Sequence, residues 1–402
     1  MTLTIHDDLL DVKVICDPYT YYENLRKSDP VHWNELWRGW ILTDYDDVST
    51  AFHDKRLSSN RMKPSKSMPK SKSEELKSTF EILSKWMVFN DPPQHTRLRM
   101  LVNKAFTPKA VEKLRPRIDE ICNDLLNKLE GNEKIDLIKD YAYALPILVI
   151  SEMLGLPEED RDQIKNWSDD LLLMVFGAVD IKDRHTRAQN SLREMSTYLR
   201  EVAEDRSKNP KDDLISAISM AGDGNDLLTV DEIISTCTLL VFGGHETTTN
   251  LIANGMLALL QNPAEFEKLK VDSSLIRTGV EEFLRYDGPS KSMIRIAKED
   301  VLIGSKMIKE GERLLLVQAG ANRDPSKFEN PNLLDISRNP NPHLGFGKGM
   351  HYCLGAPLAR LEGEIAILKL IERFPNIELT NEKLEWQPTI INRGLKALPL
   401  QL

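Results

Sequence analysis

The stretch His343 to Glu362, HLGFGKGMHYCLGAPLARLE, holds one cysteine, Cys353, among Gly345, Gly347, Gly349 and Gly355. Glycine lets a backbone adopt positive φ and approach a flat or bulky partner closely. Pro357 suits the first turn of a helix that starts just after the cysteine. The dipole and free N–H groups at a helix N-terminus favour an anion and so lower a thiol's pKa. The pattern is a site built to hold a thiolate, and His351 adds a donor two residues earlier. Such a thiolate serves a catalytic nucleophile, a metal or a haem iron. A nucleophile needs a base and leaves the alternating glycines without a role. A phosphate loop is excluded, because Gly347-Lys348 is followed by Gly349 and GxGxxG is not matched. A purely structural role suits Cys237, inside an apolar run, better than Cys353.

A second constellation is Gly243-Gly244-His245-Glu246-Thr247-Thr248-Thr249, which interrupts an apolar helical pattern. Each glycine inside a helix costs about 1 kcal/mol relative to alanine. A buried glutamate without a partner costs on the order of several kcal/mol. The interruption fits a ligand pressing on the backbone, with an acid and an alcohol beside it. It also fits a polar face at a bend, where threonines bond back to carbonyls. A zinc-binding HExxH is excluded, because position 249 is Thr249 rather than histidine. Further on, Glu282 and Arg285 stand at i and i+3 and can pair on one helix face, a common surface arrangement taken alone.

The elements around these residues read mostly as helix. The stretch DPYTYYENLRKSDP predicts a short helix ended by Pro30, and Val31 to Thr43 predicts a hairpin. DYDDVSTAFHD returns to helix, and the Ser-, Lys- and Pro-rich stretch 58–77 predicts a loop. Asp91-Pro92-Pro93 marks a helix start. Helical patterns follow in RPRIDEICNDLLNKLE, AYALPILVISEMLGL and RDQIKNWSDDLLLMVF, with Cys122 at an apolar position. Thr229-Val230-Asp231-Glu232 fits a capping box that opens a helix running to about Gln261, roughly 48 Å long. Another helix, SSLIRTGVEEFLRY, precedes a β-rich segment, and a last long helix follows Cys353. No linker separates two cores.

The totals set outer limits. The chain has 402 residues and a formal net charge of −9, which argues against nucleic acid as a partner. No apolar run is long enough to span a bilayer, and the acidic N-terminus lacks a signal-peptide core, so a cytoplasmic protein is expected. The four cysteines lie far apart and form no CxxC.

Phe346-Gly347-Lys348-Gly349-Met350-His351-Tyr352-Cys353-Leu354-Gly355 resembles the haem-binding loop of the cytochrome P450 family at every position. Gly243 to Thr248 resembles that family's oxygen-activating helix motif, and Glu282 to Arg285 its ExxR pair. Asn322-Arg323-Asp324-Pro325, DISRNPNPHLGFG, His95 to Arg99 and RGLKALPL resemble further blocks of soluble bacterial members. The likeness covers nearly the whole chain.

The resemblance implies a mainly α fold with a small β region. In it, a triangular helical domain encloses haem between a long central helix and the cysteine-loop helix. A single P450 domain over 1–402 without a fused reductase is expected. The cofactor would be haem b, with Cys353 as proximal thiolate ligand and His95, Arg99, Arg295 and His351 on the propionates. Phe346, Gly347 and Gly355 would complete the cofactor loop. Glu282, Arg285 and Arg338 would form a supporting triad, and His343 would help fix the meander. Glu246 and Thr247 would be the acid–alcohol pair that relays protons to dioxygen. Substrate contacts would come from Val88, Phe89, Leu240, Gly244, Met293 and Ile391, an apolar set. Lys291, where the family often has an apolar residue, has an acidic or oxygen-rich substrate as one possible partner, and solvent or another loop as the expected one. The implied activity is insertion of one atom of O2 into a C–H bond of a small apolar molecule. Electrons would come from a separate ferredoxin or flavodoxin. The basic stretch Arg97 to Arg117, with Lys104, Lys109, Lys113, Arg115 and Arg117, would steer that partner.

Overall fold

The structure, a computed structural model, describes residues 7–62, 77–175, 183–222 and 227–402. After a short helical turn at Val12–Cys16, helix α1 (Pro18–Ser28) is capped by Asp17 and stops before Pro30. The predicted hairpin follows as β1 (Val31–Asn34) and β2 (Gly39–Leu42), then α2 (Tyr45–His53) and β3 (Leu57–Ser58). Ser58 is thus strand rather than loop, and 63–76 of the expected loop lie outside the described residues. The longer helices that follow are α3 (Gln94–Ala105), α4 (Arg115–Asn127), α5 (Ala144–Leu154), α6 (Arg161–Val175) and α7 (Arg184–Lys208).

The long helix α8 (Val230–Gln261) has 32 residues. Its capping box is formed: Thr229 N donates to Glu232 Oε2 (2.9 Å) and Glu232 N to Thr229 Oγ1 (3.3 Å). The helix continues through Gly243 and Gly244, so the polar stretch interrupts the hydrophobic pattern but not the helical backbone. Burial of Val241, Phe242, Leu251, Ile252 and Ala253 on either side offsets the cost of the glycines. Then come α9 (Ile276–Asp287), β4 (Met293–Ala297), β5 (Arg313–Leu316) and α10 (Ala356–Arg373).

The chain forms two compact units, each gathered from separate stretches of sequence. The first comprises Met1–Ser58, Ile118–Leu145 and Thr247–Leu402. Its main sheet has the order β1-β2-β5-β4-β3. Strand β2 runs parallel to β5, and β4 antiparallel to it, with Met293 opposite Leu316 and Arg295 opposite Leu314. Successive strand residues point to opposite faces. Leu314 and Leu316 therefore join Phe52, Phe328 and Leu344 on one side, while Leu315 joins Tyr22, Leu25 and Ile41 on the other. In the same unit Gly363 of α10 lies where a Cβ would come within 3.3 Å of Leu251 and 3.6 Å of Val280, so its lack of a side chain lets three helices close up.

The second unit comprises Ser59–Arg117 and Pro146–Glu246. Helices α6 and α7 pack together, with Trp167 Nε1 donating to Glu194 (3.0 Å) and the Trp167 ring 5.6 Å from that of Tyr198. Buried Trp86 donates to Thr238 Oγ1 on the first half of α8 (2.9 Å).

Candidate functional site

The cysteine loop belongs to the first unit. Gly347 and Gly349 take φ of +69° and +71°, which explains two of the glycines directly. A Cβ at Gly349 would also sit 2.8 Å from the Phe52 carbonyl, and one at Gly345 would sit 3.0 Å from the Leu284 carbonyl. The turn is closed by Gly347 N to Leu344 O (2.8 Å), Tyr352 N to Gly349 O (3.1 Å) and Cys353 N to Phe346 O (2.9 Å). Gly355 is the N-cap of α10 and has no side chain with which to cap it, and Pro357 lies in the first turn. A Cβ at Gly355 would stand 4.0 Å from the Cys353 sulfur.

The four thiols are free, but their settings differ. Burial pushes Cys122 and Cys237 up to about 12, with a bond to Tyr141 partly opposing the shift at Cys122. They are core thiols, as the sequence reading had it. Cys353 is half-buried at a helix start instead.

Two polar clusters hold this loop. Arg285 meets Glu282 in a bidentate pair, Nε to Oε2 and Nη2 to Oε1, both 2.7 Å. Arg338 Nε (3.1 Å), Asn341 Nδ2 (3.1 Å) and Asp335 N (3.0 Å) complete the shell around the same carboxylate. Arg285 also donates to the carbonyls of Asn322, Pro331 and Leu333, and Asn322 Oδ1 accepts from Leu344 N (2.7 Å) at the head of the loop. Next door, His343 Nε2 lies 2.8 Å from Glu281 Oε2, and Arg360 donates to both oxygens of Glu281. Burial would raise Glu281, but the bonds from His343 and Arg360 outweigh it and bring the carboxyl down to about 2. The sequence reading missed Glu281 and Arg360, since nothing local says which of two adjacent glutamates faces which partner.

The structure brings Arg295 close to the loop. Arg295 is buried on β4 with its guanidinium 5.6 Å from the Phe52 ring, and Phe52 lies 3.6 Å from where a Gly347 Cβ would be. His351 is half-buried in a 3₁₀ turn, Gly349–His351. Phe346 stacks under the Arg360 guanidinium at 4.6 Å. Met293 packs with the Phe52 and Leu344 side of the sheet, whereas Ile391 packs with the Tyr22 and Leu25 side. Lys291 does not reach solvent: it is 3% exposed, and its ammonium donates to the Thr389 carbonyl. The expectation of a solvent-facing side chain is corrected, and the alternative of another loop holds. The segment around Thr389 covers it, with Lys291 N also bonded to Ile391 O (2.7 Å).

In the second unit, α3 places buried His95 and half-buried Arg99 one turn apart. Val88 is half-buried in a 3₁₀ turn, while Phe89 is buried, stacked parallel to Trp86 at 6.0 Å. Leu240 is buried on α8.

Along α8, exposure follows the helical repeat. Gly243 is exposed and Gly244 and Thr247 are half-buried, whereas Val241, Phe242, His245, Glu246 and Thr248 are buried. A Cβ at Gly243 would meet no heavy atom within 4 Å, and one at Gly244 only Ile150 Cδ1 at 4.0 Å. The helix thus offers a stripe of bare backbone ending in a threonine hydroxyl. The sequence reading missed His245, whose Nδ1 lies 3.1 Å from Ser168 Oγ.

Within the first unit, a half-buried thiol at a helix start, glycine backbone beside it and the buried Arg295 guanidinium near the loop fit a haem with its carboxylates.

The comparisons agree. A family model described as Cytochrome P450 matches residues 40–393. The polyketide biosynthesis cytochrome P450 PksS of Bacillus subtilis (strain 168) is 40% identical over 396 residues, 96% of each chain. The crystal structure of P450BioI in complex with hexadec-9Z-enoic acid ligated acyl carrier protein superposes with a TM-score of 0.90. It has 37% identity and covers 98% of this chain and 100% of that one. CYP109E1 from Bacillus megaterium in complex with corticosterone gives 0.86, at 35% identity, 97% of this chain and 99% of that one. The chain belongs to the cytochrome P450 family, the haem b monooxygenases, and is an oxidoreductase of that kind.

Proposed function

We propose that the chain, acting as one catalytic unit over 1–402 in the cytoplasm, hydroxylates a small, largely apolar organic substrate with O2. Electrons come from a separate ferredoxin- or flavodoxin-type protein. Haem b, when bound, supplies the oxidising power, and thiolate donation favours O–O cleavage. Cys353 supplies that thiolate. Arg295 and His351, with His95 and Arg99, hold the propionates by charge-assisted bonds. Gly347 and Gly355 keep the sulfur's surroundings free of side-chain bulk, and Phe346, whose carbonyl accepts from Cys353 N (2.9 Å), closes the cofactor loop. Thr247 and Glu246 move protons toward the oxygen that leaves as water.

Val88, Phe89, Leu240, Gly244, Met293 and Ile391 give the substrate contacts an apolar character, in keeping with the hexadecenoyl group and corticosterone bound by the two relatives. The basic stretch ending at Arg117 steers the electron donor. Its charge is smaller than the sequence suggests, since Arg115 pairs with Glu112 (2.5 Å) and Arg117 with Glu152 (3.4 Å).

The observation that carries this reading is the Cys353 loop, a half-buried thiol at an uncapped helix start with two positive-φ glycines before it. The test is the absorption spectrum of the reduced, CO-bound protein. The red-shifted band of a thiolate-ligated haem is expected, and Cys353→Ser abolishes it while Cys122→Ser keeps it. A wild-type protein without that band overturns the proposal.

A further inference from the structure

His245 stands directly before the acid–alcohol pair, yet points elsewhere. It is 0% exposed, as is Ser168 on α6. The 3.1 Å contact between His245 Nδ1 and Ser168 Oγ is a buried polar link between two helices. Burial, with Lys165 adding to it, pushes the imidazole down to about 3, so the ring is neutral at working pH and serves as a hydrogen-bonding group, not a proton source.

The link sits beside the two adjacent glycines of α8. Gly243 and Gly244, immediately before His245, have no side chains, and a Cβ at either would find almost nothing to touch. Where two successive residues of a turn lack side chains, its rotation is set by the anchored residues on either side, here Phe242, whose ring lies 5.1 Å from that of Trp86, and His245. His245 is such an anchor, and Glu246 and Thr247 follow it at about 100° per residue. Helix α6 is itself fastened to α7, through Arg187 and Ser191 to Asp170 (both 2.6 Å) and Trp167 to Glu194. The contact therefore joins a braced pair of helices to the bare turn of α8.

We propose that His245 is a positioning residue: through Ser168 it sets the rotation of the α8 turn that carries Glu246 and Thr247 and couples that turn to the seating of α6. This rests on the proposed function, since it concerns where the acid–alcohol pair points.

The test uses the haem-loaded full chain with two substrate-free readouts, the C–O stretching band of the reduced CO complex and amide hydrogen exchange. In Ser168→Ala and His245→Phe the C–O band shifts to a new maximum, because the groups facing the bound CO have moved. Exchange in 161–175 and 240–249 rises together by about tenfold, the scale of one lost buried hydrogen bond. Ser168→Thr and His245→Gln keep a bonding atom in reach and restore both readouts. An unmoved C–O band in Ser168→Ala and His245→Phe, or a glutamine no better than phenylalanine, overturns the inference. The red-shifted absorption band, present throughout, shows that the proposed function stands in either case. Its absence from the wild type would bring down that reading instead.

Discussion

Glu282 and Lys291 are both buried charged side chains of the same unit, and their settings are opposite. Glu282 is 0% exposed and is met by two guanidinium groups, an amide side chain and a backbone N–H. Lys291 has, among the described residues, one acceptor for its three N–H groups, the Thr389 carbonyl. Burial, helped by the Arg393 charge and opposed by Asp287, brings its ammonium down to about 7. The first site is compensated and fastens the strand of chain that leads to the haem loop. The second is a charge that the fold tolerates at a cost, in exchange for tying 290–293 to the 389–392 segment. A buried charge with complete partners stiffens a structure, and one with partial partners makes it respond to pH.

Removing the compensation at the first site has the largest effect. Glu282→Gln leaves Arg285 and Arg338 without their counter-charge, and a loss on the order of 3–5 kcal/mol is expected in urea unfolding, with weakened haem retention. A variant as stable as the wild type would mean that the network does not support the loop.

The second site is tested by pH. The folded pKa of Lys291 lies below its unfolded value of 10.5, so the unfolded chain binds more protons between about pH 7 and 10.5 and stability rises with pH there. Relative to Lys291→Met, the wild type should gain about 3.5 kcal/mol between pH 7 and 10, with the difference constant below about pH 6. A difference that stays flat over that range would show that the lysine is not buried as described.

The smallest test applies the same contrast to uncharged groups. Cys237→Ser places a hydroxyl in an apolar setting and should cost about 1–3 kcal/mol. Cys122→Ser should cost less than about 1 kcal/mol, because the Tyr141 hydroxyl, itself bonded to Ala366 O, offers a partner. Equal losses by thermal denaturation would erase the distinction.

The site was legible where its residues are close in sequence. The cysteine loop, the capping box at Thr229 and the Glu282–Arg285 pair depend on spacings of a few residues, which backbone geometry translates directly into contacts. The polar stretch of α8 was legible as unusual, but not which of its members would face open space. That follows from the helical repeat combined with what packs on each side. Arg338 came from family resemblance, and Glu281, Arg360 and Ser168 were not found, since their partners lie dozens of residues away.

By itself the sequence determined which groups stand together: a thiol before a helix, an acid beside an alcohol, and the helices that carry them. These follow from local dihedral preferences and short spacings. Only the tertiary structure decided that Lys291 is buried, that Glu281 rather than Glu282 meets His343, and that His245 turns toward Ser168. Those outcomes depend on which segments close over one another, and burial and long-range pairing are properties of the packed chain that no local pattern contains.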